Sequence, residues 1–492
     1  MKWNIKRWLA IGLVSALTVS MVGCTKESSN SSSESGTDTS SNDTSSNDAS
    51  SNDASSNDTN NNEKVELTIW QHEPTEQRVT AWNTVIDKFQ KENPNIIVNM
   101  EVVLWSDAQA KMMSAIQSST MPDMNVVSDT SWSSAYLAGG IVEVDDIVET
   151  VDNEQDFIDS TLLSYKMDDH YWAVPIDSIC YSLMYRPSAL EAAGYTEPPK
   201  TWSELKEYAE KMTVDTDGDG NIDQYGIGIT CSRDALATDT FGAFMASANT
   251  DIFDEDGKIM FDNDNTVKAL DFYNELYQYA PQAASGWSWG EIESNWAAGT
   301  FAMMPYHSPN LAAFFENGDF DIATAPFPKP DGADESFKTS FNHAITVTKG
   351  AKDREHYEEC KKFIEFLERP EISWILTVCQ EPGFYLPTTK AGSDLIESGY
   401  FDEENFPLKE NFDVKEGSKS RSIVDNFLKV AMESSKEAYA IGNKYGAVNM
   451  NMAEIYNSYI ISDMIQKVLL NQENVEEAVK WASDKMETID EQ

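Results

Sequence analysis

Cations are scarce in this chain: 36 lysines and arginines stand against 83 aspartates and glutamates, for a formal net charge of -47. A surface of that sign repels nucleic-acid phosphates and anionic lipid headgroups, which excludes nucleic acid as a partner and argues for solubility in an exposed compartment. Cysteine is also sparse. Apart from Cys24 there are only Cys180, Cys231, Cys360 and Cys379, and no pair has the C-x-x-C spacing of a metal or redox site. They read as scattered core residues or one optional bridge, with Cys360 and Cys379 the nearest in sequence. After the N-terminal segment no apolar run approaches membrane-spanning length.

That N-terminal segment has the layout of an export signal. Lys2, Lys6 and Arg7 precede an apolar run from Trp8 to Val22, interrupted by Ser15, Thr18 and Ser20. The run ends in Met21-Val22-Gly23-Cys24, which resembles a bacterial lipobox, so residues 1–23 are expected to be removed and Cys24 to be acylated. From Ser40 to Thr59 the chain repeats Ser-Ser-Asn-Asp-(Thr or Ala) four times. Residues 24–64 contain almost nothing that could enter a core and read as a disordered tether. A lipid anchor followed by a polar stalk makes sense where something folded must stand off from a membrane. The rest, 65–492, is too long for one hydrophobic core and suggests two lobes.

Val65, Leu67 and Ile69 alternate with polar residues, the period of a strand, until Trp70-Gln71-His72-Glu73-Pro74 breaks the pattern. Val79, Trp82, Val85, Ile86 and Phe89 then form one helical stripe, stopping at Asn93-Pro94, and Ile96, Val98, Met100 and Val102 alternate again. A strand, helix, strand unit favours a parallel sheet, whose ligands sit beyond the carboxyl ends of the strands. Further on, Thr201 and Glu204 form a capping-box pattern for a helix starting at Trp202. Helical patterns recur at 266–279, 357–367, 423–440, 452–470 and 475–486, so the chain is mixed α/β.

Several segments resemble the extracellular solute-binding proteins of family 1, which include the maltose-binding protein and many oligosaccharide-binding lipoproteins. The most specific run is Tyr171-Trp172-Ala173-Val174-Pro175-Ile176-Asp177 through Leu183-Met184-Tyr185-Arg186, then Ala192-Ala193-Gly194-Tyr195 and Pro198-Pro199-Lys200-Thr201-Trp202-Ser203-Glu204-Leu205. Pro122 to Val127, Ala138 to Val142, Ala298 to Met304 and Ala325 to Pro328 support it. The resemblance implies a two-lobe, Venus-flytrap α/β fold with the ligand in the cleft. Residues 65–177 plus 344–384 would form the N-terminal lobe and 178–343 plus 385–492 the other, with crossings near 175–185, 336–345 and 382–390. It further implies a monomer that needs no cofactor, catalyses no reaction, and hands an oligosaccharide to the permease subunits of an ABC importer. The place of work would be the outer face of a bacterial cell membrane, in a Gram-positive organism.

Sugars present apolar C–H faces and rims of hydroxyls, so a site for them needs flat aromatic platforms and side chains that donate and accept together. Placing loops by the strand-end rule gives Trp70, Gln71, His72, Trp105, Asp129, Trp132, Asp177, Trp287, Trp289, Tyr306, His307, Asn342, His343, Phe384 and Tyr385. Trp287-Ser288-Trp289-Gly290 puts two large rings beside a glycine, a poor arrangement for a single core face, and both are expected to stack on ligand. Trp105 and Trp132 could instead plug the sheet edge, whereas Trp82, Trp202 and Trp374 lie in helical patterns and read as core. His307 and His343 have no third ligand at a recognisable spacing and are taken as hydrogen-bonding groups rather than a metal pair. Few arginines or lysines occupy these loops, which points to a neutral ligand. Two other classes stay open: a lipid-anchored glycoside hydrolase, which needs two facing carboxylates that no motif marks, and a binder of another solute. There, a basic pocket would favour phosphorylated polyols and a cage of carboxylates polyamines.

Asp215, Asp217, Asp219, Asn221 and Asp223 match the first nine positions of an EF-hand calcium loop, with Gly220 at position six. The twelfth position is Gly226 instead of glutamate, so the bidentate ligand is missing or comes from elsewhere. A bound calcium would be structural, since the resemblance puts this loop away from the cleft.

Overall fold

A computed structural model describes residues 64–490 apart from 309, 310, 317, 404, 405, 407–412 and 447. The export signal, Cys24 and nearly all of the tether lie outside the described residues. Strand β1 (Val65–Gln71) leads into helix α1 (Glu76–Glu92), which buries Ala81, Trp82, Val85, Ile86 and Phe89. Each large apolar side chain so removed from water stabilises the fold by about 1.5–3 kcal/mol. The helix stops at Asn93, because Pro94 disfavours helical geometry in the residue before it. Strand β2 (Ile96–Val102) pairs parallel to β1, and β3 (Met124–Ser128) parallel on its other side. Helix α2 (Trp105–Ser118) follows β2 after a two-residue link, and α3 (Trp132–Leu137) follows β3.

The chain then runs through β4 (Val174–Cys180) and β5 (Ser182–Tyr185), separated only by Tyr181 yet belonging to different sheets. Helix α4 (Trp202–Met212) has the full capping box: Thr201 accepts from the Glu204 N–H, and Glu204 accepts from the Thr201 N–H. Strand β6 (Tyr225–Ile227), helices α5 (Ala235–Ser247) and α6 (Trp289–Ala297), strand β7 (Phe301–Tyr306) and strand β8 (Ala323–Ala325) complete the second sheet, in the order β8-β5-β7-β6. The ten-residue β9 (Lys338–Val347) returns to the first sheet. There it runs antiparallel to β3 over His343–Val347 and to β4 over Ser340–Ile345, with a register shift at His343/Ala344. Its first residues, Lys338–Ser340, pair parallel with β10 (Ala438–Ala440).

The helical pattern over 423–440 therefore divides into helix α7 (Lys419–Ser435) and β10. That over 452–470 breaks at Tyr459, whose φ of 61° is incompatible with a continuous right-handed helix. Both faces of the first sheet are covered, since the successive residues Ile69 and Trp70 enter different buried clusters. In the second region Trp202 stacks on Phe272 with ring centroids 4.4 Å apart. Trp82, Trp202 and Trp374 are all buried. Cys180, Cys231, Cys360 and Cys379 are all buried, and Cys360 and Cys379 are not bridged to each other. Among the described residues no helix is long and apolar enough to cross a membrane.

Candidate functional site

The strand-end rule delivers a strip of rings. His72, just past β1, lies 4.4 Å from Trp105 at the start of α2, measured between centroids, and Trp105 stacks at 5.1 Å and 25° on His343 of β9. His343 continues to Tyr385 at 6.0 Å, Tyr385 to Phe384 at 4.5 Å, and Phe384 to His307 at 4.2 Å. His307, just past β7, stacks at 5.5 Å and 23° on Trp289, the first residue of α6, with Tyr306 beside both. The spacings are those of favourable offset and edge contacts. The strip thus joins the carboxyl ends of β1 and β2 in the first sheet to that of β7 in the second.

Charges thread it. Arg78, in the first turns of α1, pairs with Glu73 and with Glu381, the latter at 2.6 Å, and its guanidinium lies 4.8 Å over Phe384 and 5.3 Å over Tyr385. Trp105 donates its indole N–H to Glu73 at 2.8 Å. Burial opposes ionisation at both carboxylates: at Glu73 the Arg78 charge overcomes it and holds the group low, whereas Glu381 is pushed up to about 7. His343 Nδ1 sits 3.0 Å from Asp177 Oδ1; burial works to lower this imidazole, but the Asp177 charge prevails and raises it. His307 is driven down to about 3 by burial and is a neutral hydrogen-bonding ring, its Nδ1 3.0 Å from the Ser308 carbonyl. Tyr306 donates to Glu293 at 2.8 Å, and burial raises Glu293.

Other expected residues lie beneath the strip or outside it. Trp70 is 6 % exposed, among Val103, Met112 and Ala115, under the Lys111 ammonium at 4.2 Å. Trp132 is buried, donates to the Ser164 carbonyl at 2.9 Å and packs edge-on to Tyr136. Trp287 is 7 % exposed and packs 5.9 Å from Phe301, while its carbonyl accepts from Ser232 at 2.7 Å. The reason lies between the two tryptophans. Ser288 and Glu291 form a capping box, so Ser288 ends the loop, Trp287 turns inward before it and Trp289 opens the helix toward the strip. Gln71 is buried and exchanges hydrogen bonds with the Glu73 backbone at 2.6 and 3.0 Å, which fixes the loop. His72 underlies Trp105, its two ring nitrogens each 2.7 Å from a carbonyl, of Val103 and Val126. Asp129 accepts from the Asn342 N–H at 2.9 Å and donates its own N–H to the Asn342 carbonyl at 3.1 Å, pinning the end of β3 to β9.

The strand-end rule misses Arg78, Glu381, Glu293, Tyr181, Asp239 and Tyr456, because it searches loops. Arg78 and Glu293 lie on helices, and Tyr181 is the single residue between two strands. The only signal was a polar residue opposite an apolar helical stripe, which a solvated face also gives.

In the acidic loop the carboxylate oxygens of Asp215, Asp217 and Asp223 lie within 4.8 Å of one another. Asp215 accepts from the Gly218 and Gly220 N–H groups at 2.7 and 2.9 Å, and Asp223 from that of Thr216 at 2.7 Å. Asp219 is outside that group of three and accepts instead from Asn221, through both its backbone and side-chain N–H groups.

Residues 73–373 match the model of the family described as bacterial extracellular solute-binding protein. The putative ABC transporter periplasmic-binding protein YcjN of Escherichia coli K12 is 25 % identical over 330 residues, 65 % of this chain and 73 % of that protein. The sn-glycerol-3-phosphate-binding periplasmic protein UgpB of the same strain is 24 % identical over 344 residues, 66 % and 74 % of the two chains. Among solved structures, a solute-binding protein of Thermotoga lettingae bound with α-D-tagatose superposes with a TM-score of 0.66 at 21 % identity, over 87 % of this chain and 100 % of that one. The maltose-bound MalE3 of T. maritima gives 0.66 at 20 %, over 86 % and 100 %.

Proposed function

Because the chain belongs to the bacterial extracellular solute-binding family, with that family's two-lobe α/β fold, we propose that it captures a carbohydrate on the ring strip between its lobes and delivers it to the permease of an ABC importer. Family and structural neighbours are binding proteins, not enzymes. The observation that carries the reading is the unbroken run of rings from Trp105 to Trp289, drawn from both sheets and edged with carboxylates. Such rings stack on the C–H faces of sugar units, and carboxylates accept from their hydroxyls. Trp289 and Phe384 are the half-buried platforms; Glu73, Asp177 and Glu293 are the polar edge. Hinge closure brings the two sets together.

UgpB is named for a phosphorylated polyol, and a phosphate wants an uncommitted cation. In the strip the Arg78 guanidinium is already held by two carboxylates, and His343 by a third. A sugar ring that carries no phosphate, as part of an oligosaccharide, fits better. The remaining parts of the proposal follow from sequence: Cys24 carries acyl chains, the tether spaces the lobes from the outer face of the membrane, and calcium, held by Asp215, Asp217 and Asp223, staples the acidic loop.

Thermal-shift and calorimetric titration across neutral oligosaccharides and glycerol 3-phosphate tests the reading. A sugar at about a hundred times its Kd should stabilise the protein by about 2.7 kcal/mol. Trp289→Ala should weaken that sugar by about 1–3 kcal/mol without unfolding the protein. Saturable binding of glycerol 3-phosphate alone would replace the carbohydrate with a phosphorylated polyol, and cleavage of the sugar would replace binding with hydrolysis.

A further inference from the structure

Next to the ring strip is a half-open pocket of about 20 Å³ whose walls include Asp129, Tyr181, Asp239, Phe341 and Tyr456. It has room for one water-sized group. Three separate elements build it. Asp129 follows β3, Tyr181 is the residue where the chain passes from one sheet to the other, and Asp239 projects from α5. Tyr456 donates its hydroxyl to Asp239, 2.8 and 2.9 Å from the two carboxylate oxygens, and the Asn342 N–H holds Asp129 at 2.9 Å. Neither carboxylate forms an ion pair among the described residues, and burial pushes each up to about 7. Tyr181 is 1 % exposed, and its hydroxyl has no hydrogen-bond partner among the described residues. Native interiors leave few such groups unpaired, so this one points to something the cavity receives.

Resting on the carbohydrate reading above, we propose that the sugar bears a protonated amino group and that this ammonium enters the cavity between Asp129, Asp239 and Tyr181. The donor count favours it over a hydroxyl. An ammonium has three N–H donors for the three acceptors facing it, where a hydroxyl has one proton. Its charge offsets the cost of ionising two carboxylates out of water, which a neutral group cannot do. The aromatic walls, Phe341, Tyr181 and Tyr456, attract a cation through their ring faces. Phe341 also lies 5.8 Å from His343, so the cavity adjoins the strip, within reach of a substituent on a stacked sugar.

The test is calorimetric titration of the full chain with matched pairs: glucosamine against glucose, galactosamine against galactose, and β-1,4-linked glucosamine di- and trisaccharides against cellobiose and cellotriose. Spermidine is included as an amine without a sugar. The expected result is an amino sugar that binds at least about tenfold more tightly than its parent, the scale of a buried charge pair, with Asp239→Asn cutting that ratio to about threefold or less. Asparagine keeps the volume and an acceptor for Tyr456; should the variant lose its cooperative melting transition, Asp129→Asn supplies the same comparison. Equal affinity for amine and parent, or a variant that weakens both alike, overturns the inference and leaves carbohydrate binding intact. Spermidine binding without any sugar, abolished by Asp239→Asn, would instead keep the ammonium cavity and remove the carbohydrate. Silence from every probe would overturn both.

Discussion

Two groups of carboxylates in this chain behave in opposite ways. In the loop at 215–223 Asp217 and Asp223 are exposed and Asp215 partly so; they are close in sequence and satisfied by backbone N–H groups of their own turn. Around the ring strip Asp129, Asp239 and Glu381 come from distant parts of the chain and are pushed up to about 7 by burial. Hydrogen bonds hold Asp223 below its ordinary value, the Thr216 hydroxyl foremost. The same side-chain chemistry is set by solvent, so the loop can at most hold a hard cation for structure, whereas the buried set is poised to respond to whatever enters the cleft.

The largest expected effect comes from removing the cation of the buried set. Arg78→Ala leaves Glu73 and Glu381 unpaired and should destabilise the protein by about 3–5 kcal/mol in denaturant melts. Lys200→Ala beside exposed Glu197 is the counterpart, expected to change nothing measurable. Comparable losses in both variants would erase the distinction between the two environments.

The dependence on pH should differ in sign. Asp129, Asp239 and Glu381 have folded values near 7, above the ordinary carboxylate range, so between those limits the folded state binds more protons than the unfolded. The stability they contribute is complete below about pH 4 and is lost as pH rises through about 7. His343, also raised, adds to the loss on the same side. Asp223 is lowered, so its contribution is present above about pH 4 and lost as pH falls. His307 and His72, both lowered by burial, work the other way up to about pH 6.5 but are two groups against four, so the melting temperature of the ligand-free protein should still fall between pH 5 and 8, and Asp239→Asn should flatten that fall; an unchanged slope would contradict the buried assignment.

The smallest effect is expected at the exposed loop. EDTA should lower the melting temperature by a few degrees, with sugar affinity unaltered, since a weakly held ion at free concentration L adds only RT ln(1 + L/Kd) of stability. No shift at all would mean that the loop holds no calcium.

How much could be read from sequence follows the same division. Strand and helix periods located β1, α1 and β2, and Thr201 with Glu204 marked the start of α4, because each signal spans only a few residues. The strand-end rule found Trp105, His307, His343, Phe384 and Trp289, which meet in one strip. It failed for Trp287, whose inward turn is dictated by the Ser288–Glu291 cap, a signal present in the sequence and outweighed by the proximity of two tryptophans. It also failed for Trp70 and Trp132, since which face of a strand or helix meets the cleft depends on tertiary packing. Asp239, Tyr456 and Tyr181 gave no local cue. Their importance arises from β4 and β5 changing sheets at Tyr181 and from α5 packing beside that crossing.

The central claim is that sugar rings stack on the strip joining the two sheets. A crystal structure with the tightest-binding oligosaccharide from the titrations tests it most directly. A sugar ring lying against Trp289 or Phe384, with hydroxyls on Glu73, Asp177 or Glu293, is the result this account predicts. A sugar bound elsewhere, with Trp289 and Phe384 still packed only against the protein's own side chains, would contradict it.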